Sequence, residues 1–136
     1  MVKYYLNTSI WRDYFENRSD KFRPLGEWAY SLIKMALENG CSILYSDLVV
    51  DELKIKYSLE EINGLLGIAG DLLVRVDISK SQVREAASLC KQRKVAFGDA
   101  LYAILARDNN AIMVTRDIHF LELADIVCVK KPEELI

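Results

Sequence analysis

A chain of 136 residues has room for one ordinary domain, which at this size buries about two thirds of the surface its unfolded form exposes. With 51% apolar residues in short blocks between charged ones and a formal net charge of −2, the composition argues for a globular protein and against disorder. No apolar stretch approaches the roughly 20 residues of a membrane span, and Met1-Val2-Lys3-Tyr4-Tyr5 lacks the apolar run of a signal peptide, so a cytoplasmic protein without membrane contact is expected.

Short apolar runs alternate with helical patterns along the whole chain, the signature of βαβ units and a mainly parallel sheet, so the expected fold class is α/β in a single domain, residues 1–136. The first strand is read at Val2 to Leu6, followed by Asn7-Thr8-Ser9 and by the basic residues Arg12, Arg18, Lys21 and Arg23. A long helix begins near Pro24 and ends at Asn39 and Gly40, with a proline near its start and a left-handed residue at its end. Ser42 to Tyr45 forms the second strand and leads through Ser46-Asp47 into a helix. Ser58 with Glu61, and Ser79 with Gln82, have the spacing of capping boxes, in which hydroxyl and side chain each satisfy a free amide. Between them Leu72 to Val76 reads as the third strand, ending at Asp77. Phe97 to Ala106 is apolar nearly all round and reads as a buried central helix. Ala111 to Thr115 is the fourth strand and Ile126 to Val129 the fifth, with a short helical segment, Ile118 to Ala124, between them. Pro132 opens one further turn. Cys41, Cys90 and Cys128, odd in number and set among apolar neighbours, read as small core residues rather than a disulfide or zinc framework.

Ligands of parallel α/β sheets bind beyond the carboxyl ends of the strands, which directs attention to the polar residues there. At about 100° per residue, Glu52 falls between Leu48 and Val49, inside the apolar arc of its helix, while Asp47, Asp51 and Lys54 form the wet stripe. A carboxylate so placed needs a partner: a metal ion, or an ion pair with Lys56 four residues on. Asp99 is the only acid in the central helix before Arg107, and it serves either as a ligand or as an acidic group satisfying the first turn. Asp117 follows the buried fourth strand, where it can cap the next segment with one oxygen and hold a metal with the other. Thr115 is placed to orient a ligand or a water, and the lone His119, beside Phe120 and Leu121, reads as structural. The cluster Lys91, Arg93 and Lys94 just before Asp99 reads, taken alone, as a solvated face.

Four blocks of this sequence resemble the PIN domain family, including the VapC-like toxins of toxin–antitoxin pairs. They are Tyr5-Leu6-Asn7-Thr8-Ser9-Ile10-Trp11, Ser46-Asp47-Leu48-Val49-Val50-Asp51-Glu52-Leu53, Gly98-Asp99-Ala100-Leu101-Tyr102-Ala103-Ile104-Leu105-Ala106 and Thr115-Arg116-Asp117-Ile118-His119-Phe120. They stand in the family's order and spacing and span nearly the whole chain. The resemblance implies a three-layer α/β/α fold, Mg²⁺ or Mn²⁺ in an acidic cluster, and endonuclease action on RNA. The family's acidic positions fall here on Asn7, Glu52, Asp99 and Asp117. Asn7 departs from the family aspartate: its carbonyl oxygen can coordinate a hard cation but brings no charge and takes no proton from water. Asp13 lies about 240° round the first helix from Asn7 and is discounted as a substitute.

On that resemblance, Asp99 and Asp117 are expected as metal ligands, Glu52 as a ligand or water-orienting base, Asn7 as a neutral ligand, Thr115 as a positioning group and Arg116 as a contact to the RNA backbone. Acids gathered without a metal should repel, which predicts a raised pKa for one of the three. The implied partners are RNA, a second copy in a homodimer and an antitoxin laid near the first helices. Those helices carry Trp11, Tyr14, Phe15, Trp28 and Tyr30, of which at least three are expected in the core. Two rival functions remain. A PIN-like scaffold without catalysis is favoured by Asn7, and a phosphoacceptor domain, which wants paired acids after the first strand, is disfavoured by Asn7 and Thr8.

Overall fold

In the computed structural model, which describes residues 1–136, five parallel strands lie in the order β3-β2-β1-β4-β5. They are β1 (Lys3–Leu6), β2 (Ser42–Tyr45), β3 (Leu73–Arg75), β4 (Ile112–Val114) and β5 (Val129–Lys130). Six α-helices connect them: α1 (Thr8–Phe15), α2 (Leu25–Glu38), α3 (Asp47–Leu53), α4 (Leu59–Leu66), α5 (Lys80–Arg93) and α6 (Phe97–Asp108). Tighter 3₁₀ turns cover Gly67–Leu72, Ile118–Leu123 and Pro132–Glu134. The first three strands step outward in one direction, and the α5–α6 crossover then carries the chain to the other side of β1. The strand order therefore reverses between β1 and β4, the place where open α/β sheets leave a crevice at their carboxyl ends.

The register is anchored by buried residues. Tyr4 pairs with Ile43 and Ile112, and Leu6, fully buried, with Val114. Strands buried on both faces read as continuous apolar runs, as residues 4–6, 43–45 and 112–114 do, whereas the edge strands β3 and β5 carry exposed Arg75 and Lys130. Helix α6 fills the layer beside the sheet, with every residue from Ala100 to Ala106 buried. Both expected capping boxes form, at Ser58–Glu61 and Ser79–Gln82. Asn39 caps α2, and Gly40 follows in the left-handed conformation at φ +67°. Gly26 lets α2 approach α1, since a Cβ there would sit 2.7 Å from the Asp13 carbonyl oxygen.

Three expectations need correction. The fifth strand lies at Val129–Lys130 rather than Ile126 to Val129, because the amides of Ile126 and Val127 bond back to the Leu123 carbonyl and close the preceding turn. Val127 is buried and Ile126 half-buried, both packed against the core without strand pairing. Of the cysteines only Cys41 is buried; Cys90 is half-buried and Cys128 exposed. Among the five early aromatics only Trp11 is fully buried, Tyr14 and Trp28 are half-buried, and Phe15 and Tyr30 are exposed. No helix is long and apolar enough to cross a membrane.

Candidate metal centre

Each candidate residue stands at the carboxyl end of the sheet for a local reason. Asn7 ends β1, its amide bonded to the Val114 carbonyl at 2.9 Å, and its side-chain oxygen caps α1 by accepting from the Ser9 amide at 3.0 Å. Buried Ser46 ends β2 and caps α3 through the Leu48 amide at 3.2 Å, which sets Glu52 on the turn facing Thr8. Asp99 lies in the first turn of α6. Asp117 ends the segment after β4, with its amide on Thr115 Oγ1 at 3.1 Å, and its Oδ1 accepts the His119 amide at 2.9 Å.

Glu52 is held by two hydroxyls. Thr8 Oγ1 donates to its Oε1 at 2.8 Å, the Tyr102 hydroxyl donates to the same oxygen, and Thr8 and Tyr102 meet at 2.5 Å. The Tyr102 hydroxyl is pushed far above the usual phenol range by burial and by the Glu52 charge, so it remains a donor. The Tyr5 ring meets Tyr102 edge-on, with centroids 5.5 Å apart, and the Tyr5 hydroxyl bonds Ser46. The Glu52 backbone lies on the exposed side of α3 rather than facing the core, and only its carboxylate reaches inward. The alternative pair with Lys56 does not form, since Lys56 reaches Glu16 at 3.4 Å.

Asp99, Asp117 and His119 form a second group, each with a ligand atom within 4.8 Å of the others. His119 Nδ1 faces Asp117 Oδ1 at 2.9 Å. The Asp99 carboxyl is raised above its ordinary range, first by burial and then by the charges of Asp117 and Glu52, with His119 pulling it partly back. No hydrogen bond contributes to that balance: α6 has no side-chain cap, and Asp99 does not satisfy its first turn. A half-buried carboxylate with no donor, facing a second carboxylate and an imidazole, fits the oxygen-rich donor set of a divalent cation. Glu52 stands outside this group but close enough to act on Asp99 through its charge.

Two open clefts flank these residues. One, of about 540 Å³, is lined by Asn7, Thr8, Ser9, Arg12, Glu52 and Lys56 among others. The other, of about 480 Å³, is lined by Arg93, Lys94, Asp99, His119 and Glu122 among others.

Arg116 does not reach toward an RNA. Its guanidinium bonds Glu133 at 2.9 Å, lies 3.6 Å from Asp13 and stacks over Trp28 at 5.3 Å, with the side chain only 15% exposed. Asp13, also paired with Arg18, is committed to that network. Thr115 is 2% exposed and holds the Asp117 amide, so its contact is with the turn that carries the acid. Sequence reasoning named Thr8 only as part of the polar run after the first strand, gave Tyr102 no role and set His119 aside. The available signal was spacing: Tyr102 is three residues after Asp99 on one helix face, and His119 two after Asp117.

No curated protein matches the sequence. Among solved structures, VapBC2 from Rickettsia felis, bound to a DNA fragment from its promoter, superposes with a TM-score of 0.70 at 22% identity over 96% of this chain and 98% of that one. VapBC-1 from nontypeable Haemophilus influenzae gives 0.68 at 14% identity over 97% and 99%. A toxin–antitoxin complex from Klebsiella pneumoniae gives 0.63 at 20% identity over 95% and 97%. These likenesses concern the fold. Residues 4–126 match the PIN domain family itself, and the chain belongs to that family.

Proposed function

We propose that this protein is a divalent-metal-dependent endoribonuclease of the PIN family, acting as the toxin of a toxin–antitoxin pair in the cytoplasm. The family generally comprises nucleases. The observation that carries the reading is the donorless Asp99 carboxylate facing Asp117 and His119 at the switch point of the sheet. Asp99 and Asp117 would hold Mg²⁺ or Mn²⁺, with His119 and, as a neutral ligand, Asn7 as further candidates. The ion supplies charge neutralisation at the phosphate and acidifies a water. Glu52, fixed by Thr8 and Tyr102 in the lining of the cleft, would orient the attacking water and take its proton as the water oxygen bonds to phosphorus and the P–O bond of the RNA breaks, the leaving oxygen taking a proton from solvent. Thr115 positions Asp117.

For the partners, the stacked Tyr14 and Tyr30 and the exposed Phe15 line a cleft of about 320 Å³ between α1 and α2, an apolar surface suited to an antitoxin segment. Homodimerisation is proposed from the resemblance alone.

The test is cleavage of single-stranded RNA in Mn²⁺ with an EDTA control, alongside calorimetric titration of Mn²⁺. Metal binding together with EDTA-sensitive cleavage is expected. One observation favours a second reading, a scaffold without catalysis: the Asn7 oxygen is already used by the Ser9 amide and brings no charge. No Mn²⁺ binding and no cleavage would establish it.

A further inference from the structure

Four cations line the two clefts that flank the acids, and three of them are already paired. Arg12 lies 3.3 Å and Lys56 3.4 Å from Glu16, on the Glu52 side. On the other side the Arg93 guanidinium grips Asp125 with bonds of 2.7 and 2.9 Å and also holds the Glu122 carbonyl. Lys94 alone has no carboxylate within salt-bridge distance, although it shares its cleft with Asp99 and His119. Its backbone adds a second peculiarity. Lys94 is the C-terminal cap of α5 in the left-handed conformation, φ 56° and ψ 37°, where glycine is favoured because any Cβ is strained. The left-handed turn ends α5 and sends the chain into α6, leaving a lysine without a carboxylate partner in the lining of the cleft that also holds Asp99 and His119.

We infer that Lys94 is a substrate-positioning residue that binds a backbone phosphate of single-stranded RNA beside the scissile one, making the 480 Å³ cleft the path of the strand. The inference rests on the nuclease reading. A phosphate entering this cleft meets Asp99 and Glu122, whose charges repel it, so a free cation is needed in the same cleft, and Arg93 cannot serve while it holds Asp125. A lysine acts there as a point charge, which suits a sequence-independent contact.

The experiment measures binding of a short fluorescein-labelled single-stranded RNA by anisotropy in EDTA over a range of salt, so that it reads the contact whether or not the site cuts. Losing one phosphate contact lowers the slope of log K against log salt by about 0.7, which is about fivefold in affinity near 0.1 M salt. Lys94→Gly is expected to show both changes while its melting temperature rises by about 3 to 6 °C, since glycine relieves the left-handed strain. Lys94→Arg should keep wild-type affinity and slope. Lys21→Gly is the control: Lys21 is also left-handed, at φ 54°, but lines neither cleft, so it should gain stability and bind RNA as wild type does. If Lys94→Gly binds with unchanged affinity and slope, or if Lys21→Gly loses as much, the role given to Lys94 is wrong. Wild type that binds this RNA but does not cut in Mn²⁺ would overturn the nuclease reading and leave the contact standing, whereas no binding at low salt would overturn both.

Discussion

On the β4 side of the switch point, Asp99 has no donor and faces Asp117, which accepts from His119, whereas on the β1 side Glu52 is held by two hydroxyls and Asn7 by an amide of its own helix. The first arrangement is electrostatically incomplete at Asp99, where burial and the neighbouring Asp117 charge disfavour the carboxylate and a bound cation would offset both. The second is complete without a ligand. The two clefts thus hold carboxylates in different states: Glu52, already satisfied by hydroxyls, is fixed in direction, while Asp99, without donors, is open to a cation.

Asp99→Asn should break this contrast most strongly. Loss of a ligand charge is expected to weaken Mn²⁺ binding and cleavage by at least about 100-fold, read by calorimetry and by RNA cleavage. The same change should help the metal-free fold. Burial and Asp117 raise the Asp99 pKa, so the folded state holds that proton more tightly than the unfolded chain. The stability this brings is present below the ordinary carboxylate range near about pH 4 and is lost as pH rises through the raised value. In EDTA, therefore, the melting temperature of Asp99→Asn should draw ahead of wild type as pH increases through that range. A constant difference across pH would mean that Asp99 is not under strain.

Tyr102→Phe tests the other flank. It removes one of the two hydroxyls on Glu52 from a residue that is 2% exposed, and about 1 to 2 kcal/mol of stability should go with it. The Asp99 group is untouched, so Mn²⁺ affinity should change little while the cleavage rate falls by about tenfold or somewhat more, the usual scale for an orienting partner. Equal losses in affinity and rate would show that Glu52 is itself a principal ligand.

Asn7→Asp should give the β1 side a charge that Asn7 lacks. The aspartate can keep the bond to the Ser9 amide and adds a negative charge where the α1 dipole favours one. Charge-assisted contacts are about twice as strong as neutral ones, so Mn²⁺ affinity should improve by about 1 to 2 kcal/mol, or about tenfold, and cleavage should rise with it. If neither moves, the ion sits wholly on the β4 side.

Sequence patterns carried the fold well because the three central strands are apolar on both faces and the helix caps use side chains with one local job. Ser58, Ser79 and Gly40 could be read from their neighbours alone, and so could the central helix. What failed was non-local. Ile126 and Val127 have the composition of a strand, but the preceding turn claims their amides. Arg116 stands beside a candidate ligand in sequence, yet Glu133, Asp13 and Trp28 converge on it from three other segments. The candidate acids could be found by strand position and resemblance, whereas the hydroxyls that orient Glu52 come from α1 and α6 and are joined only when the sheet brings those helices together.

His119 gives the finest test, because it is the one nitrogen donor in a group of oxygens. Its side chain is 75% exposed, so replacing it should change stability little. Imidazole suits Ni²⁺ far better than Mg²⁺, which prefers oxygen ligands and retained water. His119→Gln should therefore lower Ni²⁺ affinity while leaving Mg²⁺ nearly unaltered, narrowing the preference between the two ions. The change is expected to be about threefold, or ~0.6 kcal/mol, since the exposed ring already faces Asp117 and must turn from it to reach an ion. Competition titration of both metals against wild type and variant measures the ratio directly. An unchanged ratio would remove His119 from the ligand set and leave it a brace for Asp117, in which case the β4 side offers the ion two carboxylates and nothing softer.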